Sequence, residues 1–384
     1  MLGGFGNVPR KDLGEAVGRC MVAIDGVTTK AAPATPRPAN GGIAPVKLSE
    51  RDEDAPPILH GGDLAAAALQ FPSAPAPWID LSTGINPRGY AAGPIPDEVW
   101  RRLPDAASLA ALEGDAAAAY RVPPGHHVVA VPGTQAVIRI LPRLLEARRV
   151  AVLGFGYQEH PCSWRAAGAD VSIVEALADM DRFDVAVVVN PNNPDGRCVA
   201  PEALAALAGR LASRGGTLVV DEAFMDVCDP ALSLVPRLPP RNAVVLRSVG
   251  KFFGLAGLRL GFAITGRDLA SRIRATLGPW AVSGPAIAVA ARALSDTAWQ
   301  SAERQSLGAD AARLDGLLLE AGFEILGGTK LFRLAGTAEA ARWFERLGRA
   351  GILVRRFPAR PAWLRFGLPG PDRDWERLAA GLRP

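Results

Sequence analysis

The feature that most constrains the fold is an alternation, between residues 128 and 264, of short β-branched runs with stretches rich in Ala and Leu. Runs such as VAVVV (185–189) and TLVVD (217–221) are apolar almost throughout, which is typical of parallel strands with helices on both faces. The alternation therefore predicts an α/β fold whose large domain is a mostly parallel sheet covered by helices. After about residue 280, longer helical stretches separate FEIL, LFRL, ILVRR and WLRFG, which predicts a smaller α+β domain.

The composition changes near residue 57, and this change sets the first domain boundary. Residues 1–56 include the Pro- and Ala-rich KAAPATPRPANGG and the charged SERDED, and neither segment can bury much apolar surface. We expect this N-terminal extension to be disordered, and translation starting at Met21 is an alternative explanation for it. We assign residues 57–100 to the N-terminal part of the small domain, 101–280 to the large domain and 281–384 to the C-terminal part of the small domain.

Charge, cysteine and histidine usage exclude several classes of protein. The excess of basic over acidic residues is only +4 and is spread along the chain, so no nucleic-acid partner is expected. The four cysteines form no CxxC pair, which favours free thiols in a reducing compartment and a cytoplasmic location. The four histidines lack the spacing of a helical metal pair, so no metal is expected. No apolar run approaches the roughly 18 residues of a membrane span, so no membrane association is expected.

Polar groups follow the strands at the points where a parallel sheet binds its ligands, beyond the carboxyl ends of the strands. The NPNNPDG turn is forced into an extended path by its prolines and can direct Asn193 into the crevice. A dinucleotide site is excluded because Glu159 occupies the third glycine position of GxGxxG after GFG. The six strand ends or turns are PGTQ (132–135), GFGYQEH (154–160), NPNNPDG (190–196), DEAF (221–224), SVGK (248–251) and Arg259.

Three of these positions predict a site for a phosphate and an amine nucleophile. PGTQ can present backbone N–H groups and the Thr134 hydroxyl to a phosphate at a helix start, although a Gly-Thr turn is also an ordinary helix N-cap. Ser248, Lys251 and Arg259 place a hydroxyl and two cations near one strand end, which suits a dianionic phosphate. Such surroundings favour the neutral amine of Lys251, the form that a Schiff-base nucleophile needs. Asp221 ends an apolar strand, where it needs a positive partner unless it caps the next segment.

In their order and separation, these motifs resemble those of the fold-type I pyridoxal-phosphate enzymes, the aspartate aminotransferase superfamily, from about residue 57 to the C-terminus. The resemblance implies that 101–280 is the cofactor-binding domain and that pyridoxal 5'-phosphate is attached to Lys251 and paired through its ring nitrogen with Asp221, the two expected catalytic residues. Arg365 matches the arginine that binds the substrate carboxylate. The other implied cofactor-binding residues are Asn193 at the ring hydroxyl, Tyr157 stacked on the ring, and Gly133, Thr134, Gln135, Ser248 and Arg259 at the phosphate.

A narrower resemblance is carried by HGGD (60–63), IDLSTGINPRG (79–89), GPWAVSGPA (278–286) and DEAF, which are similar to segments of the threonine-phosphate decarboxylases of cobalamin biosynthesis. This implies conversion of L-threonine O-3-phosphate to (R)-1-amino-2-propanol O-2-phosphate and carbon dioxide. The alternative is a pyridoxal-phosphate-dependent aminotransferase acting on histidinol phosphate or a related amino compound. Phe224 and Leu103 stand where many aminotransferases have tyrosines, and both departures argue against a generic transaminase.

The substrate is expected to be a small phosphorylated amino acid. The candidates for holding its phosphate are His60 and the STGINP loop with Gly84 and Asn86, although His60 also suits a capping or packing role. Arg165 and Arg355 are further candidates that the sequence does not rank.

The superfamily resemblance also implies a homodimer with active sites at the subunit interface. A catalytically silent relative that only binds cofactor or a partner is the second hypothesis. The presence of Lys251, Asp221 and Arg365 argues against it, because a silent protein has no need of all three.

Overall fold

A computed structural model of the chain describes residues 60–383. The expected disorder of residues 1–56 and the alternative start at Met21 lie outside the described residues. Twelve strands are formed within 60–383: β1 (Ile79–Leu81), β2 (His126–Val131), β3 (Arg149–Leu153), β4 (Asp170–Val174), β5 (Val185–Val189), β6 (Thr217–Asp221), β7 (Ala243–Ser248), β8 (Gly261–Gly266), β9 (Glu324–Thr329), β10 (Phe332–Gly336), β11 (Ile352–Arg356) and β12 (Trp363–Gly367).

The helices of the same part of the chain lie mainly between these strands and after the large sheet. None of them is both long and apolar enough to cross a bilayer. They are α1 (Leu64–Gln70), α2 (Asp97–Arg101), α3 (Ala106–Ala119), α4 (Thr134–Leu145), α5 (Glu159–Ala166), α6 (Pro201–Ala212), α7 (Arg267–Leu277), α8 (Gly284–Ser295), α9 (Thr297–Glu320), α10 (Ala340–Arg349) and α11 (Asp372–Leu382).

The larger sheet has seven strands in the order β2-β8-β7-β6-β5-β3-β4. Successive side chains of its central strands enter two different apolar cores, one on each face of the sheet. In β6, Leu218 and Val220 belong to one core and Val219 to the other. Since both faces are covered, the strands are apolar almost throughout, and the predicted α/β architecture is confirmed.

The structure differs from the prediction at two strands of this sheet. β8 runs antiparallel to both of its neighbours, β7 and β2, while the other adjacent pairs are parallel. The segment between β7 and β8 holds only the single 3-10 turn Ala256–Leu258, so it lacks the crossover helix that a parallel pair requires. β4 is a strand that the sequence does not predict, because the DVSIV run contains polar residues and lies at the edge of the sheet.

The smaller sheet has five strands in the order β1-β11-β12-β10-β9. Four of them match the predicted runs, since β11 and β12 are ILVRR and WLRFG and β9 and β10 begin one residue into FEIL and LFRL; the predicted strands after residue 280 are confirmed. β1 pairs in parallel with β11, and a segment that precedes the large sheet therefore completes the second one. The exact domain boundaries at residues 56, 100 and 280 stay predictions.

Candidate active site

A cavity of about 160 Å³ lies beyond the carboxyl ends of the parallel strands in the larger sheet. β2, β3, β5, β6 and β7 all point toward it, and the antiparallel β8 starts beside it. This is the edge at which doubly wound sheets bind ligands. The walls include all of the residues predicted to bind the cofactor: Gly133, Thr134, Gln135, Tyr157, Asn193, Asp221, Ser248, Lys251 and Arg259.

One end of the cavity is built to receive an anion. Helix α4 starts there, and Gly133 at its N-cap has a φ of 80°, a conformation that favours glycine. A Cβ at this position would lie 2.9 Å from Nη2 of Arg259, so glycine is also what lets the guanidinium approach the helix start. The Ser248 hydroxyl accepts a hydrogen bond from the backbone N–H of Gly250 at 3.2 Å. A helix N-terminus, a hydroxyl and an arginine together form a phosphate site.

Asp221 at the end of β6 is 3% exposed, and its carboxylate is held by a histidine. Its Oδ2 lies 2.9 Å from Nε2 of His160, which is 1% exposed, and its Oδ1 accepts from the backbone N–H of Ala223 at 3.1 Å. Sequence reasoning missed His160, because it belongs to α5 and nothing in the sequence reports that its ring reaches β6. The positive or polar partner that a buried carboxylate requires is therefore this imidazole.

Lys251 is half-buried and lines the cavity. Burial, followed by the charge of Arg365, lowers the pKa of its ammonium to about 8. Its Nζ lies 5.4 Å from the centroid of the Phe224 ring, so an aromatic face rather than a hydroxyl is its neighbour on that side. The neutral amine is thus accessible near physiological pH, as attack on an aldehyde requires.

Arg365 of β12, in the smaller sheet, is 3% exposed and contacts Asn193, a residue of the cavity wall. Its Nη1 donates to Oδ1 of Asn193 at 2.5 Å, and its Nη2 donates to the backbone oxygen of Ser82 at 2.7 Å. Burial, followed by the charge of Arg355, lowers its pKa to about 9. The guanidinium is therefore fixed in orientation, and its buried Nε has no protein partner.

Tyr157 stands on the wall formed by the loop after β3. Its hydroxyl donates to Oε1 of Gln135 at 3.0 Å, and burial, followed by the charge of Glu159, raises its pKa to about 12. The phenol therefore stays neutral in the physiological range and presents a ring to the cavity. The Gln135 side chain is committed to protein partners, so its backbone N–H at the start of α4 is the group left for a phosphate.

The predicted substrate-binding residues before β2 occupy different positions. His60 is about half exposed, and its Nε2 lies 3.0 Å from Oε1 of Glu159. Gly84 lies against the cavity wall, where a Cβ would come within 2.8 Å of the Phe224 ring. The Asn86 amide donates to the Phe252 carbonyl and to Glu303, and its backbone N–H donates to the Lys251 carbonyl at 3.0 Å. Both amide hydrogens are used, so we interpret Asn86 as positioning the Lys251 loop, and direct substrate binding through it stays a prediction.

Arg355 and Arg165, the two further candidates for holding the substrate phosphate, differ in burial and position. Arg355 of β11 is half-buried beside Arg365, its cross-strand partner, and its buried Nε has no protein partner. Burial lowers its pKa, and the neighbouring Tyr157 partly offsets that effect. Arg165 is exposed in the last turn of α5. Of the two, Arg355 is the one that lies beside Arg365.

The two departures from the aminotransferase pattern lie in different places. Phe224 is buried on the cavity wall with its ring edge-on to Phe332 at 5.1 Å between centroids. Leu103 is 65% exposed and does not line the cavity.

The residues present fit pyridoxal 5'-phosphate. The anion site at α4 suits its phosphate, Lys251 suits its aldehyde, and Asp221 suits its ring nitrogen, while Tyr157 offers a stacking surface. Within residues 60–383, no group of three or more His, Cys, Asp and Glu side chains is arranged to hold a metal ion.

The family model Aminotransferase class I and II matches residues 78–382. The threonine-phosphate decarboxylase of Pseudomonas aeruginosa is 43% identical over 328 residues, which are 85% of this chain and 97% of the relative. A histidinol-phosphate aminotransferase of Vibrio vulnificus is 31% identical over 192 residues, which are 49% of this chain and 55% of the relative. The structure of histidinol-phosphate aminotransferase from Sinorhizobium meliloti in complex with pyridoxal-5'-phosphate has a TM-score of 0.73 at 21% identity, covering 84% of this chain and 94% of that chain.

Proposed function

This chain belongs to the aminotransferase class I and II family, and we propose that it decarboxylates L-threonine O-3-phosphate to (R)-1-amino-2-propanol O-2-phosphate and carbon dioxide, a step of cobalamin biosynthesis. The observation that carries the proposal is the 43% identity to a threonine-phosphate decarboxylase over 97% of that relative's length. The enzyme depends on pyridoxal 5'-phosphate, as its family does.

The chemistry divides between the cofactor and the protein. Bound pyridoxal 5'-phosphate supplies an electron sink for the electron pair that remains when carbon dioxide leaves. Asp221 would hold a proton at the ring nitrogen, and the hydrogen bond to His160 fixes the orientation of that carboxylate. Each unit by which the carboxylate raises the ring-nitrogen pKa contributes about 1.4 kcal/mol toward the protonated form.

Lys251 would hold the cofactor and would also carry a proton. Its lowered pKa keeps part of the population as the neutral nucleophile, and its buried position keeps Nζ available to return a proton to the substrate Cα. Decarboxylation rather than transamination requires the bond from Cα to the carboxylate to stand perpendicular to the ring, so the groups that orient the substrate select the reaction.

Two arginines of the smaller sheet serve that orientation. Arg365 binds the substrate carboxylate, because its guanidinium is fixed by Asn193 and the Ser82 carbonyl. Arg355 binds the substrate phosphate, since it is adjacent to Arg365 and has an unpartnered buried Nε. The two anionic ends of one substrate would then be held by neighbouring strands, which gives the remote phosphate its role in aligning the reacting bond.

The deciding experiment offers the cofactor-loaded protein L-threonine phosphate without a keto acid and measures carbon dioxide and aminopropanol phosphate. We expect both products in equal amounts. Absence of both, together with amino transfer from histidinol phosphate to 2-oxoglutarate, would establish the aminotransferase alternative instead. That alternative is the weaker one, because the matching aminotransferase of Vibrio vulnificus aligns with only 49% of this chain.

The proposal includes a homodimer in the cytoplasm. Three large apolar side chains, Trp100, Leu103 and Trp280, are each at least 60% exposed. Pro104 lines a cavity with Leu103 and another with Trp280, which joins Leu103 and Trp280 into one surface that a second subunit would cover. The cysteines in residues 60–383 are free thiols, as a reducing compartment favours.

A further inference from the structure

Glu159 is a buried carboxylate whose two oxygens are shared among three side chains. Its Oε1 lies 3.0 Å from Nε2 of His60, and its Oε2 accepts from Nε2 of Gln135 at 2.6 Å and from Nη2 of Arg139 at 2.7 Å. The Glu159 side chain is 6% exposed, whereas His60 and Arg139 are about half exposed. One carboxylate at the start of α5 thus ties that helix to α4 and to the loop before α1 through charge-assisted bonds.

The bond to Gln135 decides how this side chain faces the cavity. An amide has one donor end and one acceptor end. Because its Nε2 points to the Glu159 carboxylate, its Oε1 is left to accept the hydroxyl of Tyr157 at 3.0 Å. Tyr157 is the ring that faces the cofactor cavity, so Glu159 orients it through a single intervening amide.

The His60 loop is attached on its other side to the residues that hold Arg365. The backbone N–H of Gly62 donates to the Ser82 hydroxyl at 2.7 Å, and the Ser82 backbone oxygen accepts from Arg365 Nη2 at 2.7 Å. The segment His60–Gly62 therefore connects two walls of the cavity, the Tyr157 wall through Glu159 and the Arg365 wall through Ser82.

From these contacts we infer that Glu159 is a positioning residue that couples the His60–Gly62 segment to Tyr157. His60 then acts on the site through Glu159, and the positions of the cofactor-facing ring and of the substrate-facing guanidinium depend on each other. The inference deepens the proposed function and rests on it for the substrate measurement only. The simpler alternative is that Glu159 merely neutralises Arg139, with no effect that passes through His60.

A double-mutant cycle of Glu159→Gln, His60→Ala and the double variant separates these alternatives. The dissociation constant of pyridoxal 5'-phosphate is measured by titrating cofactor-free protein, and kcat and KM for L-threonine phosphate are measured on the loaded enzyme. Loss of a charge-assisted hydrogen bond predicts that each single variant raises the dissociation constant and KM about tenfold, with kcat changed about twofold at most. The double variant should be no worse than the more damaged single variant.

Glu113→Gln is the matched control. Glu113 also accepts from an arginine, Arg274 at 2.6 Å, and from a backbone N–H, that of Ala130 at 3.0 Å, but it does not line the cofactor cavity. We expect it to leave both constants unchanged. His60→Gln, which keeps a side-chain N–H donor, should recover part of what His60→Ala loses.

Two results would overturn the inference. The first is a double variant whose loss equals the product of the single losses, because this would make His60 and Glu159 independent. The second is an Arg139→Gln variant that reproduces Glu159→Gln while His60→Ala changes nothing. Since the cofactor titration uses no substrate, failure of the substrate assignment would leave this test intact.

Discussion

At the scale of single residues, the site depends on groups whose ordinary properties are changed by burial. Burial lowers the pKa values of Lys251, Arg365 and Arg355, and neighbouring arginines lower those of Lys251 and Arg365 further. Positive groups without a neutralising partner favour the binding of anionic ligands. The cofactor and the proposed substrate both carry a phosphate. Asp221, held by His160, is a negative group that also lines the cavity.

The first prediction concerns the pH dependence of Lys251 in cofactor-free protein. The rate of cofactor attachment should rise with a midpoint near pH 8, because only the neutral amine attacks and the pKa of Lys251 is about 8. Stopped-flow absorbance measures this rate, and Lys251→Ala should show neither attachment nor turnover. A midpoint near the ordinary lysine value of 10.5 would contradict the assignment.

The same shift predicts a change in stability with pH. The folded protein binds this proton less tightly than the unfolded chain, so wild type should gain free energy of unfolding relative to Lys251→Met as pH rises from about 8 to about 10.5. Chemical denaturation of the two cofactor-free proteins across this range measures the difference. A difference that falls with pH would have the wrong sign.

The second residue-scale prediction concerns the substrate phosphate. Arg355→Gln should raise KM for L-threonine phosphate by at least about tenfold, since a charge-assisted bond to phosphate is lost. Arg165→Gln, which alters an exposed arginine outside the cavity, is the matched control and should not change KM. Equal effects of the two substitutions would place the phosphate elsewhere.

At the scale of elements, the sequence predicts those helices and strands whose positions are determined by the local pattern of apolar and polar residues. Apolar runs and the polar or Gly and Pro residues that end them predict most strands of the large sheet. They also predict the start of α4 at Thr134 and the strand ends beside the cavity. They do not predict the antiparallel direction of β8, because direction is set by the connection rather than by the strand itself. The first turn of α5 is a further example: Glu159 and His160 meet partners on distant elements, and spacing along the chain cannot report those contacts.

The prediction for α5 is that His160 acts through Asp221. His160→Phe removes the donor to a buried carboxylate and should lower kcat about tenfold to a hundredfold, with a smaller change in KM. Steady-state kinetics on the cofactor-loaded variant measures this. His127→Phe, a substitution in β2 that does not touch the cavity, is the control. A change in KM with kcat unchanged would argue for a purely structural role of His160.

At the scale of the whole molecule, the site is assembled from both sheets. The large sheet supplies the cofactor-facing groups, and β11 and β12 of the smaller sheet supply Arg355 and Arg365. The fold class and the cofactor-facing residues could be predicted because they lie at strand ends of one regular sheet. The ranking of Arg355 over Arg165 could not, because it depends on how the smaller sheet packs against that edge.

The prediction at this scale concerns assembly. Trp280→Arg should shift the protein from dimer to monomer, because it places a charge at the centre of the exposed apolar surface formed with Leu103. Light scattering after size exclusion measures the mass. Leu319→Glu, an exposed apolar position on α9, is the control and should leave the mass unchanged.

The pairing of β2 with β8 also has a consequence for synthesis on the ribosome. His126 of β2 pairs with Gly266 of β8, and β8 is the only neighbour of β2 in the large sheet among residues 60–383. Because translation proceeds at about 5–20 residues per second, several seconds or more pass between the synthesis of β2 and that of β8. During that interval HHVVAV is a largely apolar strand with no paired edge, which makes it a segment that a chaperone would shield.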